Sequence, residues 1–359
     1  MDYSEPSNNE KFRKGKTAWP VIAPQKNPRN RIWIPESFSY PILLHIIKND
    51  LVNFVDLRPP LILAIQGRAG EGKSFQTRGV CSNLGVYVIP LSGASLGGST
   101  ENAAVEILED AYIFASTFKD KIKQHTVLLI DDFDLSVASV FEERRYTVNT
   151  QLLTGFIMNL ADDPNCCGAE RTLRIPIIVT GNNFQALHAP LIRDGRINFF
   201  NWEPTLELKT EVVRTIFETL IQEKELQRIG ELVKLYKDLP ISFFTALMDD
   251  IIDEAILQVY KRDRSLNMPT IEKVVTDLLR GRIVKFQTLL DLAKKRYIAV
   301  AWNYLESDSI DEQGENVYAV NQNGQPSENI KKQERKFNLD SLNRRVRSIV
   351  KRTGSNDNE

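Results

Sequence analysis

"AIQGRAGEGKSFQ", residues 64–76, runs from an apolar stretch into a glycine-rich turn, a lysine and a serine. The stretch before it, "PPLILAIQG" (59–67), starts at proline and stops at glycine, so it reads as a buried strand. "SFQTRGVCSNLG" continues as a helix. Between the two, "GRAGEGKS" (67–74) fits G-x-x-x-x-G-K-[ST] without a mismatch. Strand, glycine-rich loop and helix in that order aim main-chain N–H groups at a phosphate. Gly67, Gly70, Glu71, Gly72, Lys73, Ser74 and Phe75 are therefore expected to line a nucleotide site. Lys73 would neutralise the β- and γ-phosphates, and the Ser74 hydroxyl would ligate Mg²⁺. The plainer reading is a turn beside a chance lysine.

A phosphate loop alone does not imply hydrolysis, so a second signal is needed. "TVLLIDDFD" (126–134) delivers adjacent carboxylates to the end of another apolar strand, where α/β sheets bind ligands. Asp131 would hold Mg²⁺, and Asp132 would orient or deprotonate the attacking water, with Asp134 leaving the register open by a residue or two. "IPIIVTGNN" (175–183) ends a further strand at Asn182, placed to touch the γ-phosphate or the water, with Asn183 the alternative. In "APLIRDGRI" (189–197), Arg193 and Arg196 lie three apart and would share a helical face. They read either as arginines presented across a subunit interface to a phosphoryl group or as surface salt-bridge partners.

Working outward, "VYVIPLSG" (86–93) is one more buried strand, and helical patterns at 100–124 and 147–163 separate the strands. Alternating strands and helices predict a parallel sheet covered on both faces. "PILLHIIKNDLVNF" (41–54) is a helix ahead of it. After "EPT" (203–205) the periodicity becomes helical throughout. The expected layout is a mobile tail at 1–30, an α/β nucleotide-binding domain at 31–204 and an all-α domain at 205–305. A polar linker at 306–330 and a basic tail at 331–359 complete it. The fold class is thus α/β with a parallel sheet sandwiched by helices, followed by an all-α domain.

The 359 residues carry 42% apolar and 26% charged side chains and a net charge of −1. That balance is ordinary for a globular chain and gives no whole-protein attraction to nucleic acid or membrane. Three cysteines make no disulfide framework. The polar start lacks a signal-peptide core, and no apolar run approaches the roughly 20 residues of a spanning helix. A cytoplasmic protein is expected. At 331–352, nine Lys/Arg stand against two acids, with Leu339, Leu342, Val346, Ile349 and Val350 on one helical face. Such a helix would dock on an acidic partner, nucleic acid or a membrane surface, or simply be solvated.

With these residues in view, the chain resembles Rubisco activase, an AAA+ ATPase family of photosynthetic organisms. "GEGKSFQ", "RRYTVNTQLLTGFIMNLADDPN" and above all "RIPIIVTGNNFQALHAPLIRDGRINFFNWEPT" carry the resemblance, which runs from about 33 to 300. It implies an AAA+ large domain, a helical lid, a ring that is a hexamer, and ATP with Mg²⁺. It implies Asn182 as nucleotide sensor and Arg193 and Arg196 as trans-acting arginines. It further implies Rubisco as client, freed of tight-binding sugar phosphates by loops lining a pore and, for localisation, possible association with a carboxysome or a stroma-like compartment. Those loops would fall near 93–101 and 142–149, with Tyr146 gripping the client unless it is a packed aromatic.

The departures limit what carries over. "GASLGGSTENAAVEILEDAYIFAS" is small and neutral, then acidic, where the family's first pore segment is charged. Met248, Asp249 and Asp250 stand where the family places lid arginines, and a carboxylate there would repel a γ-phosphate unless Arg280 or Arg282 takes over. No small-subunit-like module is present in the sequence. Two other readings stay open: a divergent paralogue with a different client, and a nucleotide-binding scaffold with little turnover.

Overall fold

The computed structural model describes residues 19–25, 33–52, 57–96, 102–134, 148–184, 195–281 and 284–306. Tyr146, Arg193, Arg282, most of both expected pore segments and the basic tail lie outside the described residues. The chain divides into two compact units, Met1–Glu203 and Pro204–Glu359.

The first unit is a parallel sheet clothed by helices. Its strands are β1 (Ile62–Gln66), β2 (Tyr87–Ser92), β3 (Thr126–Asp131), β6 (Ile177–Gly181) and β7 (Ile197–Asn201), in the order β2-β3-β6-β1-β7. Helices α1 (Glu36–Leu51), α2 (Lys73–Leu84), α3 (Ala103–Ile122) and α4 (Val148–Asp162) accompany them. A minor hairpin pairs β4 (Cys166–Cys167) with β5 (Glu170–Arg171). Four of the five strands are the apolar runs read from the sequence. Their central residues, such as Leu63, Ala64, Leu128, Leu129 and Ile178, are fully buried, as expected of a sheet covered on both faces. The core on one face gathers Leu108, Ala111, Tyr112 and Ala115 of α3 against Ile89, Leu128, Ile130 and Val179. Tyr112 buries its ring there and uses its hydroxyl twice, donating to Pro164 O at 3.0 Å and accepting from Ile175 N at 3.1 Å.

Strand β7 was not expected from the sequence. "INFFN" lies beside β1 in parallel register, Ile62 opposite Ile197 and Gln66 opposite Asn201. Register also fixes the business end of the sheet. Ala64 stands level with Val179, and Val179 with Ile130. The next residues along, Thr180 and Asp131, therefore emerge side by side at the carboxyl ends of their strands, next to the loop that leaves β1.

The second unit is helical: α5 (Leu206–Phe217), α6 (Glu223–Leu226), α7 (Ile229–Leu235), α8 (Ile241–Arg262), α9 (Met268–Arg280) and α10 (Phe286–Glu306). The final helical pattern of the sequence is two helices, α9 and α10, because the chain breaks at Gly281. Thr205 caps α5 by accepting from Leu208 N, and Asn267 caps α9 by accepting from Thr270 N. Phe217, Leu232, Phe243, Phe244, Leu247, Phe286 and Leu289 make its separate core.

Candidate nucleotide site

The loop after β1 has the backbone that its glycines allow. Gly70 and Gly72 have φ of 77° and 76°, in the left-handed region that a side chain disfavours. Gly72 is the N-cap of α2, so the free N–H groups of that helix's first turn open toward the loop. Gly67 is required for a different reason: a Cβ there would run into the Trp202 carbonyl. Trp202 is fixed in turn, its main-chain N–H donating to Gln66 O at 2.7 Å and its indole Nε1 to Glu71 O at 2.9 Å. The residue after β7 thus clamps both ends of the loop.

Lys73 is buried, and its Nζ turns back into the loop. It donates to Gly67 O at 2.7 Å, Arg68 O at 2.9 Å and Asn182 Oδ1 at 3.0 Å. Burial holds its pKa below the ordinary lysine value, against the pull of Asp134, Asp132 and Glu71. Phe75 is exposed on the first turn of α2.

Thr180, fully buried at the end of β6, joins three pieces of the site. It donates to Asp131 Oδ1 at 3.1 Å, exchanges a hydrogen bond with Ser74 Oγ at 3.2 Å and accepts from Asp132 N at 3.3 Å. The other Asp131 oxygen pairs with Arg78 of α2. Asp132 sits at φ 54°, turning the chain back after β3. Its partial burial, then Asp131 and Asp134, push its carboxyl above the usual range, with Lys73 opposing them. Asp134 is buried, and its Oδ2 accepts from Asn182 N at 2.7 Å and Asn183 N at 3.3 Å.

The structure therefore brings Gly67 through Ser74, Asp131, Asp132 and Asn182 to one edge of the sheet. A triphosphate and a divalent cation fit the donor set. The left-handed glycine turn, the helix start at Gly72 and the buried ammonium suit phosphate oxygens. Ser74 and Asp131, linked through Thr180, suit a hard cation that prefers oxygen. Arg196 makes a two-pronged pair with Asp162 at the end of α4, Nε to Oδ1 at 2.8 Å and the second nitrogen to Oδ2 at 2.7 Å.

Residues 63–204 match the model of the AAA family, ATPases associated with various cellular activities. This stretch is an AAA domain. Across a wider span the chain is similar to ribulose bisphosphate carboxylase/oxygenase activases. It is 37% identical to that of Anabaena sp. over 62% of this chain and 55% of the relative. It is 36% identical to that of Nostoc sp. over 62% and 54%, and 35% identical to the chloroplastic protein of Phaseolus vulgaris over 64% and 53%. The chain spans about half the length of the curated relatives it matches. It is an activase-like, divergent AAA+ sequence.

Several residues of the AAA domain's site were not singled out by sequence reasoning. Thr180, Arg78, Gln66 and Trp202 act through contacts with residues far away in the chain. Gln66, the last residue of β1, accepts from Phe184 N at 3.1 Å and donates to Asn201 Oδ1 at 2.5 Å. The one sequence cue was position: Thr180, Gln66 and Trp202 sit at or directly after the carboxyl end of a strand, whereas Arg78, on the second turn of α2, carried no such cue. In the second unit, Asp250 is paired with Arg296, Nε to Oδ2 at 2.5 Å and the second nitrogen to Oδ1 at 2.8 Å. Met248 packs against the helical core.

Proposed function

We propose that this chain binds ATP with Mg²⁺, hydrolyses it, and uses the cycle as a ring, of six subunits in our reading, to remodel a client protein. Rubisco blocked by sugar phosphates is the client that the similarity favours. The observation that carries the proposal is the hydrogen bond from the phosphate-loop Lys73 to Asn182, with Asp131 and Asp132 joined to the same site through Thr180.

In this reading the amides after Gly70 receive the phosphates, and Lys73 exchanges loop carbonyls for phosphate oxygens. Ser74 and Asp131 would hold the metal, which when bound offsets charge on the β- and γ-phosphates. Asp132 would orient or deprotonate the attacking water. Asn182 fixes the γ-phosphate or that water. Arg193 and Arg196 would act from a neighbouring subunit, which requires Arg196 to leave Asp162. Tyr146 would grip the client, and the basic segment at 331–352 would meet an acidic partner, with nucleic acid or a membrane surface the alternatives for that segment alone.

The test is an ATPase assay on the purified chain and Lys73→Ala, followed by sugar-phosphate-inhibited Rubisco from the same organism. Turnover that depends on Lys73 and restores carboxylation supports the proposal. Turnover no faster than the variant's removes the motor and leaves a nucleotide-binding scaffold. Turnover without restored carboxylation removes Rubisco as client.

A further inference from the structure

We propose that Asp134 is the positioning residue of the nucleotide sensor: its buried carboxylate captures the main-chain N–H groups that follow β6 and so sets the Asn182 side chain against Lys73. The inference rests on the nucleotide reading above and adds to it a residue that neither the phosphate loop nor the strand-end acids account for.

The last rung of the ladder between β1 and β6 is Gln66 with Gly181. Beyond it, Asn182 leaves the sheet and is exposed, so strand pairing does not fix it. Asp134 Oδ2 does, through Asn182 N at 2.7 Å and Asn183 N at 3.3 Å. With the main chain held, Asn182 Oδ1 meets Lys73 Nζ at 3.0 Å. Asp134 reaches across because the turn after β3 is tied to β6 twice, by Phe133 N to Thr180 O at 2.8 Å and by Asp132 N to Thr180 Oγ1 at 3.3 Å.

The neighbours make room for this carboxylate. A Cβ on Gly181 would stand 2.9 Å from Asp134 Oδ1 and 2.7 Å from the Phe184 ring. The residue before the sensor is glycine, and that leaves space for both. The arrangement is also costly. Asp134 Oδ1 is buried and has no hydrogen-bond partner among the described residues. An unsatisfied buried carboxylate oxygen opposes folding, so its retention calls for a gain elsewhere. Two charge-assisted bonds to the sensor's main chain supply one.

The hydrogen bonds and the charge can be separated. In Asp134→Asn, the amide oxygen still accepts both N–H groups while the charge is gone; Asp134→Ala removes both. The probes are ATPγS and ADP, each with Mg²⁺, titrated calorimetrically into the full-length chain. If Asn182 faces the γ-phosphate, wild type prefers ATPγS. Asp134→Ala and Asn182→Ala should each shrink that preference about tenfold with ADP affinity within threefold. The double variant should be no worse than either single one, since both remove the same contact. Asp134→Asn should keep the preference within threefold.

The proposal is overturned if Asp134→Ala keeps the preference, if the double variant loses the product of the two singles, or if Asn behaves as Ala. Wild type that binds neither nucleotide overturns the nucleotide reading itself, which the binding data distinguish from the other outcomes. Should Asp134→Ala fail to fold, Asp134→Asn against Asn182→Ala still decides: a lost preference in the Asn variant overturns it, a kept one supports it.

Discussion

Replacing Thr180 with valine tests whether the site is one network or a set of neighbours. Valine matches the shape of threonine and removes only the hydroxyl, which is fully used: it donates to Asp131 and accepts from Ser74 and Asp132 N. Its three partners fare differently once it is gone. Asp131 retains Arg78, and Ser74 is half-exposed and can turn to water. The Asp132 N–H, in a part-buried turn, loses its acceptor. A net hydrogen bond is worth about 1 kcal/mol and a stranded buried donor about 1–3 kcal/mol, so the sum is about 2 kcal/mol. For a unit of this size that is a fall in Tm of about 4–8 °C.

Thermal unfolding followed by circular dichroism reads the stability. Titration of ATPγS with and without Mg²⁺ reads the function, because Thr180 ties the Ser74 hydroxyl to Asp131. Thr180→Val should lose about tenfold of the Mg²⁺-dependent gain in affinity. Thr180→Ser loses a buried methyl, about 1 kcal/mol, but should keep that gain. A valine variant as stable as wild type, or a serine variant that loses the Mg²⁺ dependence as fully as valine, would refute the network.

Lys73→Met should weaken ATPγS binding at least thirtyfold by calorimetry yet change stability by under about 1 kcal/mol, because losing a desolvated ammonium offsets its three lost bonds. His45 is buried against Ile177 O at 3.1 Å, and burial lowers its pKa to about 4 from 6.5. The unfolded chain therefore takes the proton first, so stability holds above about pH 6.5 and falls by about 3 kcal/mol down to pH 4; His45→Gln should flatten that limb in urea titrations. Arg196→Ala should leave stability within about 1 kcal/mol, since Asp162 is largely exposed, while cutting ATP turnover about a thousandfold with ATP affinity unchanged. Asp250→Arg would set two guanidinium groups together and lower the Tm of the helical unit by a few degrees, and adding Arg296→Asp should restore it.

The parts of the fold legible in the sequence were those set by local chemistry. Runs such as "VLLI" before paired acids mark a strand buried on both faces, and Gly70 and Gly72 announce left-handed turns because few other residues adopt them. Strand β7 was not legible. "INFFN" alternates weakly, its two phenylalanines are only half-buried, and it is a strand because β1 lies beside it. The site divides in the same way. The phosphate loop is contiguous, so its spacing is visible. The hydroxyl that joins it to the strand-end acids comes from Thr180, 106 residues beyond Ser74, and the clamp on Glu71 comes from Trp202, 131 residues away. Asp134 was noticed only as an uncertainty of register, because its partners, Asn182 and Asn183, lie 48 and 49 residues on.

The acids at 249 and 250 take a different meaning once their surroundings in the helical unit are known. Read as letters, Met248, Asp249 and Asp250 replace arginines with a repulsive pair. In the helical unit, Asp250 of α8 is bound by Arg296 of α10 with both prongs of the guanidinium, so it contributes almost no net charge. Met248 is half-buried against the apolar core of the unit, and Asp249 faces solvent. An arginine at 250 would meet Arg296. The ion pair is partly exposed and adds little to stability. It occupies position 250, while Arg280, the last residue of α9, is exposed. The departure from the activase pattern at 248–250 is then a rearrangement of charge within the helical unit, and it does not by itself argue for a silent nucleotide site.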